Sequence, residues 1–416
     1  MGDERPYIVG LQSEVPDQEN TVSKFVSQLE QLDSKMSLVK RELATIFFLN
    51  SSMARDDRAS LFTDSHIAKH SDIADNHATE QHFEDIVDNH ATEQLFDAFA
   101  SRDIKPWEEE RFAHVRKLCD ATRNKGVVGL YKDKTNEQLV AVKQMPNSWI
   151  CDSRAEFTHR HSKELENPWQ DIGCTLFLNS VNYKYACHLK SVYRSEASTF
   201  VLSTFAAGGD LFDFATRDVA KPGPGREVTL APRVVDLFSG VLELHNLQIS
   251  HRDISLENVL LTSTDPANAE LRIIDYGMAS TSRTVRCKTG KPSYQAPESH
   301  NQGEYDAFLA DAFAVGVVLY CLFTKDYPWF STAPHKCKCF GYFEEHGFRV
   351  FCSKRKLRGT TTRVSDCFSE PLMQLLEGLL QIDPERRLTL GETDWKTRRS
   401  VWDEPWTQHY KTTFFK

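Results

Sequence analysis

The sequence predicts an α+β protein whose strands and helices are segregated along the chain. Residues 112–206 read as β-rich with one helical stretch, and residues 207–395 read as mostly helical. The length of 416 residues exceeds one ordinary core and calls for two or three folding units. Residues 1–110 have a different, acidic texture, and residues 396–416 form a polar tail that carries Trp402 and Trp406.

Composition narrows the class. Hydrophobic residues make up 40% and charged residues 26%, as in ordinary soluble proteins. No stretch approaches the ~20 consecutive apolar residues of a membrane span. The first residues lack the basic-then-apolar pattern of a signal peptide, so a cytoplasmic location is expected, with the nucleus also open. A formal net charge of −9 argues against nucleic acid as the main partner. The 10 cysteines are scattered; Cys337 and Cys339 are the one close pair, with no second pair at zinc-like spacing. Free thiols are expected.

Two patterns organise the first 110 residues. Val22, Phe25, Leu29, Leu32, Met36, Val39, Leu43 and Ile46 alternate three and four apart, an a/d heptad seam within a helix over about 20–48. Such a seam serves either as a coiled coil that joins a second copy or another helix through residues 22–46, or as an amphipathic helix on its own domain. Further on, residues 73–85 are echoed by residues 86–98. A period of thirteen leaves the copies about 140° apart on a helix and flips their face on a strand. Neither element buries both alike. With eight acids and no Lys or Arg between His70 and Ser101, the stretch over about 64–100 reads as an acidic linker.

From residue 112 the sequence becomes specific. LVAVK (139–143) reads as a strand ending in Lys143. HRDISLEN (251–258) sets four residues between Asp253 and Asn258, and DYG (275–277) follows 17 residues after that Asn. APE (296–298), DAFAVGVVLY (311–320) and DPERR (383–387) follow in order. In this order and spacing the motifs resemble the eukaryotic protein kinases of Ser/Thr type, and the resemblance spans roughly 112–395.

The resemblance implies a bilobal protein kinase-like fold: a small antiparallel β lobe with one helix (112–206) above a larger, mainly helical lobe (207–395). It implies ATP and Mg²⁺ as cofactors and proteins as substrates, phosphorylated on Ser or Thr. Asp253 would accept or orient the substrate hydroxyl proton, and Lys143 would pair with the α/β-phosphates. Asn258 and Asp275 would hold the metal, both offering hard oxygens. Val128, Ala141 and Leu260 would sandwich the base, Thr204 to Ala206 would contact its edge, and Asp210 would reach the ribose. Ser203, small, would leave the pocket behind the base open. Lys143 needs an acid on the next helix, over 166–181; Glu164, Glu166 and Asp171 lie within reach, and Asp171 leaves the shortest insertion before the next strand. Glu298 with Arg387 would form a buried ion pair, and Asp311 would cap the catalytic-loop backbone. Arg252 before the catalytic Asp implies a phosphate switch on the activation segment, among Ser280, Thr281, Ser282, Thr284 and Thr289.

Two departures from the family pattern stand out. Where three glycines normally cover the phosphates, the sequence has Ala121, Arg123 and Gly126, so Gly126 alone remains; the two side chains should stiffen the loop or keep it away, or Arg123 should instead touch a phosphate. Where the family carries Lys two residues after the catalytic Asp and Thr after the Gly that precedes P-x-Y-x-A-P-E, this chain carries Ser255 and Lys291. The hydroxyl and the ammonium are exchanged, and Lys291 would supply the cation for the transferring phosphoryl group. Asp210 and Glu257 would favour basic residues upstream of the acceptor. The competing reading is a kinase-shaped scaffold without catalysis. The altered loop favours it; the intact Lys143, Asp253, Asn258 and Asp275 favour catalysis.

Overall fold

The architecture comes from a computed structural model that describes residues 99–414, apart from 218–220, 266–267 and 396. The heptad seam over 22–46 and the thirteen-residue repeat lie outside the described residues.

The chain enters the first lobe before residue 112. β1 (Lys105–Pro106) runs parallel to β5 (Leu189–Arg194) at one edge of a six-stranded sheet. Trp107 follows and stacks on Phe200 with ring centroids 3.9 Å apart. The expected start at 112 is therefore too late, because an apolar sheet face needs that indole to cover it.

The remaining strands are antiparallel: β2 (Phe112–Ala121), β3 (Gly126–Asp133), β4 (Leu139–Pro146), β5 and β6 (Ser198–Thr204), in the order β1-β5-β6-β4-β3-β2. β4 shows why. Val140 and Val142 alternate with less buried neighbours and join Phe112, Tyr193, Phe200 and Leu202 on one face. Between β4 and β5 lie α1 (Asn147–Ile150), α2 (Arg154–Arg160) and α3 (Pro168–Ser180). α3 starts where its sequence dictates: Asn167 accepts from the amides of Trp169 and Gln170, and Pro168 occupies the first turn. Trp169 and Ile172 then pack with Met145, Trp149, Phe157 and Val192 under the sheet.

The second lobe begins with β7 (Gly209–Asp210), α4 (Leu211–Arg217) and α5 (Gly225–Asn246). β8 (Val259–Leu261) and β9 (Leu271–Ile273) complete a three-stranded sheet with β7. β10 (Thr284–Val285) pairs with β11 (Tyr305–Asp306). The lobe is built around α6 (Ala307–Thr324), apolar on every side and almost wholly buried. That helix is long and apolar enough to cross a membrane, but its surroundings are the lobe's own core. α7 (Lys338–His346), α8 (Phe348–Lys354), α9 (Glu370–Leu379) and α10 (Pro405–Phe414) follow. The expected end of the lobe at 395 is also too early. Trp406 on α10 is buried and donates to Glu227 of α5 at 2.8 Å.

Both expected structural pairs are present. Arg387 is 2% exposed and grips Glu298 at 2.5 and 2.9 Å. Asp311 accepts from the amides of His251 at 2.7 Å and Arg252 at 2.8 Å.

Candidate active site

A cavity of about 660 Å³ opens between the lobes, within the size range of small-molecule sites. Lys143, Asp171, Asp253, Asn258, Asp275 and Lys291 all line it, as do Val128, Ala141, Ser203, Thr204, Ala206, Asp210 and Leu260. Gly126 does not. A Cβ there would lie 2.0 Å from the Gln144 carbonyl oxygen, so what requires glycine is the close approach of β3 to β4.

At the upper end Lys143, on β4, is held by three carboxylates. Its Nζ lies 3.1 Å from Asp171, 3.5 Å from Asp275 and 4.0 Å from Glu166. Only the first is a close charge-assisted hydrogen bond; the last is through-space attraction. Burial opposes the ammonium charge, but Asp171, Asp275 and Glu166 outweigh it and raise its pKa. Asp171 also accepts from the Tyr276 amide at 2.9 Å, tying α3 to the DYG segment. The shorter Asp therefore reaches its lysine.

Glu166 was only one of three candidates by spacing, and its place was not legible in the sequence. It is 5% exposed, just before the α3 cap, and a Cβ on Gly277 would lie 2.7 Å from its Cγ. Burial, then the Asp275 charge, push its carboxyl up to about 7.

At the lower end the catalytic-loop segment is fixed from both sides. Asn258 Nδ2 donates to the Asp253 carbonyl at 2.8 Å and to its carboxylate at 3.0 Å. The Lys291 amide donates to the other carboxylate oxygen at 3.0 Å. The Lys291 ammonium lies 2.5 Å from Ser255 Oγ and 3.1 Å from Glu257. Glu257 is thus already paired. Arg252 and Asp275 both have positive φ, 66° and 70°. Such backbone costs roughly 1–3 kcal/mol per residue and persists only where its surroundings enforce it; the Asp311 cap does so at Arg252.

The segment from 275 to 298 is threaded with non-phosphate contacts. Arg252 donates to the carbonyls of Met278 and Cys287. Arg283 bonds Asp306 at 2.7 Å and lies 3.8 Å over the Trp395 ring, and Arg286 pairs with Glu304. Thr281 and Thr289 are buried, while Thr284 is exposed.

The glycine-poor loop does not stand off from the cleft. Arg123 points into the cleft and donates to Asp253 Oδ2 at 2.9 Å. No local pattern announces a contact between residues 130 apart.

Metal-ligand chemistry fits the lower site. With its amide nitrogen committed to Asp253, Asn258 keeps Oδ1 for a cation. Burial opposes the Asp275 charge, but Lys143, His251 and Arg123 outweigh it and hold its pKa low, so the group is an anionic oxygen donor.

Two lobes, a lysine held by an aspartate on the helix above, and a second aspartate on a capped loop below define a protein kinase. The comparisons agree. The family model described as protein kinase domain matches residues 124–406. Serine/threonine-protein kinase SAPK3 of Oryza sativa is 27% identical over 301 residues, covering 68% of this chain and 76% of that protein. Serine/threonine-protein kinase SRK2F of Arabidopsis thaliana is 26% identical over 297 residues, 68% of this chain and 73% of its own. SAPK4 of Oryza sativa subsp. japonica is 32% identical over 223 residues, with 53% and 55% covered. The chain belongs to the protein kinase family, in its serine/threonine class.

Proposed function

We propose that this protein transfers the γ-phosphate of ATP to serine or threonine hydroxyls of other proteins, with Mg²⁺. The observation that carries the reading is convergence: Lys143, the Asp253–Asn258 loop and Asp275 come from three separate segments and line one cavity. A scaffold has no need of that convergence.

Each residue does one thing in this reading. Lys143, kept charged by Asp171, pairs with the inner phosphates. Asn258 and Asp275 hold the divalent cation, which when bound neutralises charge on the phosphates. Asp253, oriented by Asn258 and the Lys291 amide, takes the hydroxyl proton or aims the hydroxyl. Lys291 stabilises charge on the group in transfer. The Thr204 amide is committed to the His188 carbonyl, so the base meets the Thr204 carbonyl and the Ala206 amide. Val128, Ala141 and Leu260 pack its faces, and Asp210 meets the ribose.

Control by the activation segment belongs to the same reading, with Thr284 as the accessible acceptor. The arginines around it already have partners, so a phosphate there would redistribute existing ion pairs rather than order a loose loop. Dimerisation through residues 22–46 is likewise proposed from the heptad seam alone.

The test is incubation of the full chain with Mg²⁺, labelled ATP and a basic protein substrate. Label on substrate serine or threonine supports the reading. MgATP-dependent thermal stabilisation without any transfer would favour the scaffold instead.

A further inference from the structure

The turn between β2 and β3 aims a cation at the reacting end of the cleft. Thr122–Asn124 form a short 3₁₀ turn, and Lys125 then adopts φ 53° with its ammonium 4.0 Å over the Trp149 ring. Asn124 is 2% exposed and donates its side-chain amide to Glu166. The turn is thereby anchored immediately after residue 123, against α1 and the approach to α3.

Just ahead of these anchors Arg123 reaches down. Its Nη1 lies 2.9 Å from Asp253 Oδ2 and 3.7 Å from Glu166. The first distance is a charge-assisted hydrogen bond; the second is not a hydrogen bond. Arg123 keeps 39% of its side chain exposed toward the cavity, whereas Asp253 is almost fully buried. The cation therefore covers the carboxylate that must meet the hydroxyl.

A side chain fixed there would block Asp253. A guanidinium, however, pairs with phosphate oxygens through two parallel bonds, and a nucleoside triphosphate carries more negative charge than one carboxylate. The loop lacks the two glycines that would let backbone amides approach phosphate, so charge from a side chain is the available substitute. Position decides which phosphate. Lys143 and its carboxylates mark the inner end of the cleft, and only the terminal phosphoryl group comes beside Asp253.

We propose that Arg123 is a γ-phosphate-binding residue that replaces the missing loop glycines. Without nucleotide it rests on Asp253; the γ-phosphate draws it off and uncovers the carboxylate. This rests on the kinase reading above.

The test is binding, separate from turnover. Dissociation constants of MgATP and MgADP are measured by calorimetry on the full chain, for the parent, Arg123→Lys and Arg123→Ala. Melting without nucleotide checks that each variant is folded. Arg123→Ala should weaken MgATP by about tenfold or more and change MgADP less than about twofold, since a charge-assisted hydrogen bond is lost only with the triphosphate. Arg123→Lys should keep part of the preference. An ATP-to-ADP ratio unchanged in Arg123→Ala overturns the assignment and leaves the kinase reading intact. Tighter MgATP binding with faster turnover in Arg123→Ala makes the residue a plug and also overturns it. A parent protein that binds neither nucleotide removes both readings.

Discussion

The ammonium of Lys291 lies 2.5 Å from the hydroxyl of Ser255, across the cleft between the segment before A-P-E and the catalytic loop. Cation and hydroxyl occupy one spot although each comes from the loop segment where the family pattern places the other. The prediction is direct. Lys291→Ala lowers turnover about 10²-fold, the scale of losing one charge-stabilising group at a reacting centre, and changes ATP affinity little. Combining Ser255→Lys with Lys291→Thr returns most of the loss. Steady-state kinetics checks both; an unchanged turnover in Lys291→Ala rules out the exchange.

Distance ranks the acids around Lys143. Asp171 makes a hydrogen bond at 3.1 Å, and Glu166 stands at 4.0 Å. Asp171→Asn should therefore reduce kcat/KM for ATP by about tenfold or more, as expected for a lost charge-assisted bond. Glu166→Gln should cost clearly less. Equal losses, or the reverse order measured on folded variants, would show that α3 is held through Glu166.

His245 supplies a pH test of the lower lobe. It is fully buried, bonded to Glu392 at 2.6 Å and to Asp311 at 3.1 Å, and stacked on Phe308. Burial opposes its charge, but the Asp311 and Glu392 hydrogen bonds outweigh it and raise the pKa to about 9 from an ordinary 6.5. A raised pKa stabilises the fold fully below 6.5, and that stabilisation is lost as pH rises through about 9. Chemical denaturation between these values should show a decline on the order of 3 kcal/mol at most. His245→Gln should start less stable and show a flatter profile. Parallel profiles for parent and variant would place the titration elsewhere.

Much of the site was legible because its chemistry is local. Asp253 and Asn258 are five residues apart on one loop, and the DYG segment follows at fixed spacing. Asp171 could be chosen because strand and helix lengths limit which acid faces Lys143. The Asp311 cap and the Glu298–Arg387 pair followed from motif order, and removing one partner of so buried a pair costs about 3–5 kcal/mol.

The remainder depends on contacts that no periodicity encodes. Arg123 reaches Asp253 because Lys125 takes a left-handed turn and Asn124 is anchored on Glu166. Trp107 and Trp406 looked like flanking polar sequence. Trp107 stacks half-buried on Phe200 of the sheet, and Trp406 is buried in the second lobe. Gly126 was read as a phosphate contact, yet it is needed where β3 passes the Gln144 carbonyl.

The most direct measurement is phosphoamino-acid analysis of a protein substrate after reaction with labelled MgATP, with Asp253→Asn run in parallel. The account predicts phosphoserine or phosphothreonine from the parent and a signal reduced by about 10³-fold or more in the variant, as for a lost catalytic base with its positioning. Equal labelling by both proteins would contradict it.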